Sequence, residues 1–238
     1  MLTLHRLNFH TIYVHYPTAH HVFTNYVGID VDIDNDPVIH LAFPDPKSDF
    51  WFRKFQHIYF FPVISLLFVS WRIQSLQHSI ATRNYWELLS MCINYFWLYM
   101  LGWKVAFGSV LLAGLLVALI VTATHQSEDM YTDETSPLKS YSFVECQFAT
   151  TRDVYTGNGF MSWLWGGMQY QLEHHLFPTL PKYYNSRLTE RVKQFAEENG
   201  LQYKCDSVMQ ILKRNFATIR KFADERETHQ TEQTKKIK

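Results

Sequence analysis

The sequence predicts an all-α integral membrane fold: a transmembrane helical hairpin over about 85–123, joined to a helical cap that carries histidine pairs. Three observations lead there. Leu88–Gly102 and Val105–Ala123 are uncharged, and only Trp103 and Lys104 part them, which suits two helices crossing a bilayer. Tyr85, Trp86, Trp97 and Tyr99 sit near the ends of the first arm, where aromatic side chains favour the headgroup level. Finally, the pairs His20–His21 and His174–His175 fall on either side of the hairpin. If both serve one site, they lie on one face of the membrane, so an even number of crossings separates them.

Taken in order, residues 1–16 read as an irregular leader. His5, His10 and His15 recur every five residues, a spacing that shares neither a helical face nor a strand face. The first residues lack a long apolar core with a small-residue cleavage site, so no signal peptide is expected. The segment PTAHHVFTNYVGIDVDIDNDP, Pro17 to Pro37, holds the first pair and then Asp30, Asp32, Asp34 and Asp36. These alternate acids lack the glycine and the closing glutamate of a calcium loop, so a solvated loop is expected. Residues 44–58 form a turn and an aromatic-basic stretch. Trp51, Phe52, Phe55, Arg53 and Lys54 suit a helix on a membrane surface. Tyr59–Ser70 is apolar but short and contains Pro62, so parity makes it interfacial or re-entrant. After the hairpin comes a polar stretch from Thr124 to Phe160, with His125 where the second arm emerges. The tail holds two amphipathic helices. The first places Leu188, Val192 and Phe195 at helical spacing and stops at Asn199-Gly200, and the second covers about Ser207–Arg226. Residues 227–238 are polar and read as disordered.

Composition sets the bounds. The 238 residues suffice for one domain, the net charge is zero, and nothing suggests a nucleic-acid partner. Aromatic residues reach 16%, as membrane interfaces favour. The mean hydropathy of −0.18 implies few spans and a large polar part. Cys92, Cys146 and Cys205 are odd in number and widely spaced, and read as reduced thiols.

The chemistry centres on WLWGGMQYQLEHHLFPTLP, Trp163 to Pro181. Gln171, His174 and His175 stand at i, i+3 and i+4, so a helix aims all three at one point. Imidazole suits iron, zinc, copper or nickel. Aromatic flanks give such a site a shaped, partly dry wall. No GxSxG, HExxH, P-loop or GxGxxG competes.

This stretch resembles the third histidine box of membrane front-end fatty-acyl desaturases, in which Gln replaces the box's first His. His20, His21, Thr24, Asn25, Gly28, Asp30 and Asp32 resemble the second box and the loop after it. Pro17, however, stands where the pattern has a histidine. The resemblance runs from about residue 20 to residue 204, which makes 17–204 a partial desaturase domain and 205–238 a C-terminal helix and polar tail. It implies His20, His21, His125, His174 and His175 as ligands of two non-haem irons, with Gln171 hydrogen-bonding or ligating beside them. Gln147 and the Thr150–Thr151 pair match a stretch leading into the third box, as scaffold or substrate channel. It further implies a fatty-acyl substrate in the lipid bilayer, dioxygen, and electrons from NADH through a reductase and cytochrome b5. The expected location is the endoplasmic reticulum, with the boxes cytosolic. The final Lys235, Lys236 and Lys238 resemble a dilysine retrieval signal. The family pattern expects eight or nine histidine ligands, and five are found. A C-terminal portion of a front-end desaturase is therefore the expectation. A non-catalytic relative that binds lipid or a partner, and a sphingoid-base desaturase, are the alternatives.

Overall fold

The computed structural model describes residues 20–30, 32–33, 38–42, 49–131, 135 and 142–224. The leader histidines His5, His10 and His15, Pro17, Asp34, Asp36 and the lysine-rich tail lie outside them. The chain divides into two compact units. One contains residues 59–119, and the other contains the described residues before 59 and after 119.

In the first unit the helices follow the apolar runs. Helix α1 (Gln56–Ile64) gives way to α2 (Leu67–Ala81) at Ser65–Leu66, and the two axes differ by 60°. Local bonding explains the break. The Ser65 hydroxyl donates to the Pro62 carbonyl at 2.7 Å, and Leu66 N–H turns to Val63 O at 3.0 Å, a tightened turn in place of the i→i−4 bond. Helix α3 (Tyr85–Met100) packs on α2 and starts at Asn84, whose side chain accepts from Glu87 N–H. Helix α4 (Trp103–His125) follows after Gly102.

The stretch expected to form a transmembrane hairpin holds two helices of unequal standing. α4 has 23 residues and is long and apolar enough to cross a membrane, whereas α3 has 16. The other stretch of sufficient length is the broken α1–α2 run, which contains the segment expected to be interfacial. Only 17% of the most apolar window of α4 is buried. A core helix of a water-soluble protein would be covered, so this exposed apolar surface suits lipid.

Gly114 lets α4 approach the break. A Cβ built there would lie 2.1 Å from the Ser65 carbonyl oxygen, a backbone atom that cannot swing away. Small residues serve such close backbone approach in membrane helices.

The second unit is mostly helical, with one departure from the all-α expectation. Strands β1 (Asp153–Tyr155) and β2 (Cys205–Ser207) pair in parallel, three residues each. Helix α5 (Phe143–Thr150) opens with a reciprocal capping box between Ser142 and Glu145. Short helices α6 (Gly159–Trp165) and α7 (Gln171–Leu176) are separated by a turn in which Gly166 and Gly167 adopt left-handed φ of 58° and 94°. Helix α8 (Asn185–Glu198) buries Val192 and part-buries Leu188 against Phe148 and Leu172. Phe195, expected on that face, is exposed yet stacks on Phe148. Helix α9 (Val208–Asp224) places Ile211 in a second cluster with Ala123, Val154 and Trp165. Burying a side chain such as Leu172 or Ile211 contributes roughly 1.5–3 kcal/mol.

The 51–55 segment is a single tight helical turn, and its basic face is not wholly outward. Arg53 is buried and forks onto Asp49 at 3.0 and 3.1 Å, while Trp51 remains exposed. Pairing is the reason, since a buried guanidinium without a carboxylate would be costly. Gln56 ties this turn to α9 through bonds to the carbonyls of His40 and Ile219.

The parallel strands fix Asp153. Its carboxylate accepts the Leu172 N–H at 2.8 Å at the start of α7, and the Tyr203 hydroxyl at 2.5 Å. Tyr203→Phe removes that donor from a buried oxygen and should lower stability by about 1–3 kcal/mol. A thermal denaturation midpoint in detergent equal to the native one would contradict the clamp. Gly114→Leu should overpack α4 against Ser65, costing about 1–3 kcal/mol or more. A variant recovered from detergent at native yield and melting temperature would show that the close approach is not needed.

Candidate metal centre

Three separate segments deliver histidines to one place. His20 and His21 precede a turn, His125 ends α4, and His174 and His175 lie on α7. Ring centroids are 4.5 Å apart for His20–His125, 5.1 Å for His20–His175, 4.8 Å for His21–His174 and 4.8 Å for His21–His175. His20, His21, His125 and His175 are buried, and His174 is partly so. Two groups have donor atoms within 4.8 Å of one another: His20 with His21 and His175, and His20 with Asp32 and His125. Every histidine expected from the sequence is thus brought to this cluster, with Gln171 beside them.

Hydrogen bonds set the direction of each ring. His20 donates from Nδ1 to Asp30 Oδ1 at 2.8 Å, so Nε2 carries the lone pair. Gln147 donates from Nε2 to the His21 carbonyl at 2.9 Å, which fixes its amide and leaves Oε1 to accept from His175 Nδ1 at 3.0 Å. Thr24 gives its hydroxyl proton to the His20 carbonyl and stands 3.1 Å from the same Nδ1. His175 Nε2 then presents a buried lone pair with no hydrogen-bond partner among the described residues. The Gln171 amide stands 2.9 Å from His125 Nε2; turned so that its oxygen accepts from Nε2–H, it leaves His125 Nδ1 as a buried lone pair unmatched among the described residues. Buried polar atoms without partners are costly, and a cation that accepts lone pairs removes much of that cost. The donor set therefore fits a metal.

The electrostatics agree with ligands that are neutral. Burial, then the charge of His174, lowers His21 to about 4. Burial, then Lys182, lowers His174 to about 4. His175 is lowered well below the ordinary imidazole range, first by burial and then by the surrounding rings. His20 differs. Burial disfavours its cation, but the hydrogen bond to Asp30 and the charges of Asp32 and Asp30 outweigh that and raise it. Behind α7, burial and the Asp153 charge push Glu173 up to about 9, so it is the protonated carboxyl of that pair.

Asp30, within the described residues, departs from the solvated loop expected of the acidic run. Asp30 is fully buried, and its Oδ2 accepts Asn25 N–H at 2.7 Å while its Oδ1 also accepts Asp32 N–H at 2.9 Å. A buried carboxylate with three such partners, His20 among them, is held by them, not by water. The turn that permits this contains Asn25 at φ 61°, a conformation that asparagine tolerates better than most residues. Of the two roles expected of Gln147, scaffold or substrate channel, its bonds to the His21 carbonyl and the His175 ring suit the scaffold. The Thr150 and Thr151 hydroxyls close back onto the carbonyls of Cys146 and Gln147. Asp153 and Tyr203 carried no signal in the sequence, because their part in holding α7 depends on a pairing of strands fifty residues apart.

The model of the family described as fatty acid desaturase matches residues 7–207. The chain is 30% identical over 233 residues to the Delta(6)-fatty-acid desaturase fat-3 of Caenorhabditis elegans, covering 87% of this chain and 52% of that one. It is 32% identical over 215 residues to the Delta(5) fatty acid desaturase fat-4 of the same organism, covering 79% and 47%. An acyl-lipid 8-desaturase of Rebecca salina is 26% identical over 210 residues, covering 84% and 48%. The chain thus spans about half the length of these curated relatives. No solved structure matches it. With the family model aligned over most of the chain and the histidine cluster inside the aligned region, this chain belongs to the fatty acid desaturase family.

Proposed function

We propose that this chain is the C-terminal, metal-binding portion of a front-end fatty-acyl desaturase. It introduces a double bond between an existing one and the carboxyl end of the acyl chain. The observation that carries this is the convergence of five imidazoles from three segments, mostly buried and oriented by a layer of buried oxygen acceptors. In this reading His20, His21, His125, His174 and His175 hold two non-haem irons. When bound, the irons supply dioxygen activation, which removal of hydrogen from an unactivated methylene requires and which side chains cannot provide. Electrons come from cytochrome b5. The exposed apolar helix α4 anchors the chain in the endoplasmic reticulum membrane, with the histidines on the cytosolic side.

The chain's own residues do the rest. Asp30 holds His20 in one tautomer, and Gln147 with Thr24 holds His175. Low proton affinity at His21, His174 and His175 keeps their lone pairs available at neutral pH. Gln171 orients His125 from the opposite side.

Iron content of the full chain purified in detergent tests the reading directly. His174→Ala and His175→Ala should each cut bound iron severely and abolish any new polyunsaturated acyl product in a host fed fatty acids and sphingoid bases. A native chain without iron would sink the enzyme reading in favour of a lipid- or partner-binding relative. Product from the sphingoid base alone would replace the fatty-acyl substrate. Gln147→Leu should leave every ligand present yet weaken iron retention by about 10–100-fold, the usual penalty for losing a residue that orients a ligand. Chelator competition reads that number, and unchanged retention would mean that Gln147 does not orient His175.

A further inference from the structure

We propose that Asp32 is itself a metal ligand, completing with His20 and His125 the half of the centre that holds the second ion. The inference rests on the metal-centre reading above and adds to it a carboxylate where the resemblance implies imidazoles and the Gln171 amide.

The geometry points there first. Asp32 Oδ2 lies 3.6 Å from His20 Nε2. That is too long for a hydrogen bond. It is the right separation for two donors on one ion: with metal–donor distances of ~2.0–2.2 Å, it corresponds to an angle of about 120° at the metal. His125 offers its own nitrogen within 4.8 Å of both. The lone pair that His20 aims at Asp32 is Nε2, because Nδ1–H is already given to Asp30.

Asp32 is also placed, not merely nearby. Its N–H is held by Asp30 Oδ1 at 2.9 Å, and its carbonyl accepts from Gln126, the residue after His125, at 3.4 Å. Its side chain is only 20% exposed, unlike that of a solvated loop acid.

Counting donors gives the same division. His20 has one lone pair to give, so it serves one ion although it belongs to both groups. With His20, His125 and Asp32 on one ion, His21, His174 and His175 remain for the other. Each ion then has three ligands from this chain. Pro17 offers no donor where the box pattern would have a histidine, and Asp32 makes up that donor from the other side of the turn. The two ions are inequivalent, one facing three neutral rings and the other a carboxylate that offsets part of its charge.

The competing arrangement uses the same atoms without a metal: a His20 imidazolium held between Asp30 and Asp32. Cobalt(II) loading of the full chain in detergent distinguishes the two. The native chain should hold about two cobalt ions and Asp32→Asn about one, as expected when one of three ligands on one ion is removed. Asp32→Cys gives the direct signature, a thiolate-to-cobalt charge-transfer band in the near ultraviolet that native protein and a Val38→Cys control both lack. Native cobalt content in Asp32→Asn, or no such band in a cobalt-loaded Asp32→Cys chain, overturns the assignment while leaving the metal centre intact. A native chain that binds no cobalt overturns both, so the two failures are told apart.

Discussion

The Asp30 carboxylate is the constraint on which the site depends. It accepts from His20, from the backbone of Asn25 and from the backbone of Asp32. Hydrogen bonds to a charged group contribute about 1.5–3 kcal/mol each. Together they fold the turn after the first histidine pair back over that pair. Without this carboxylate, His20 loses its fixed tautomer and the turn loses the anchor that gives Asn25 its left-handed backbone. Asp32 would then no longer be held beside His20. One buried anion thus links the local path of the chain to the aim of a ring and to the placement of a second carboxylate.

A parallel arrangement operates on the third box. Asp153 accepts the Leu172 N–H within the first turn of α7, where a negative group also complements the helix dipole. Six residues make too short a helix to be stable alone. Its position comes instead from Asp153, from Leu172 packed in the Phe148–Val192 cluster, and from the parallel strands that seat Asp153. Each histidine pair is therefore positioned by a buried aspartate that is not adjacent to it in sequence. The rings can be buried and neutral because the charge needed to orient them sits one layer out.

Much of this was legible in the sequence, for identifiable reasons. The i, i+3, i+4 spacing of Gln171, His174 and His175 is a property of local geometry, and it survives in a helix of six residues. The uncharged run of α4 and the stop at Asn199-Gly200 are equally local. What was hidden depends on distant pairing. The acids after the first pair alternate in a pattern that signals a solvated loop, and nothing local tells Asp30 that a histidine ten residues back will claim it. The broken helix was half visible: Pro62 announced a disturbance, but the break falls three residues later, where Ser65 captures the Pro62 carbonyl. α3 follows the uncharged run read from the sequence, but its 16 residues fall short of a full span, and aromatic residues at both ends resemble an interfacial belt whether the helix between them crosses a bilayer or not.

The layered arrangement also explains why the ligand shortfall implied by the histidine count is smaller in space than in sequence. A count of histidines treats imidazole as the only donor; under the proposal above Asp32 would join them, beside the Gln171 amide that the sequence already placed there. In the proposed centre, imidazoles alone around two divalent ions would leave four positive charges in a buried volume, which the low dielectric makes expensive. Asp32 as a ligand, with Asp30 behind His20, would reduce that charge on the His20 side, whereas His21, His174 and His175 meet ring to ring. In the proposed centre the two sets of ligands would therefore give their ions unequal surroundings. The asymmetry follows from one turn of backbone, the one that Asp30 closes.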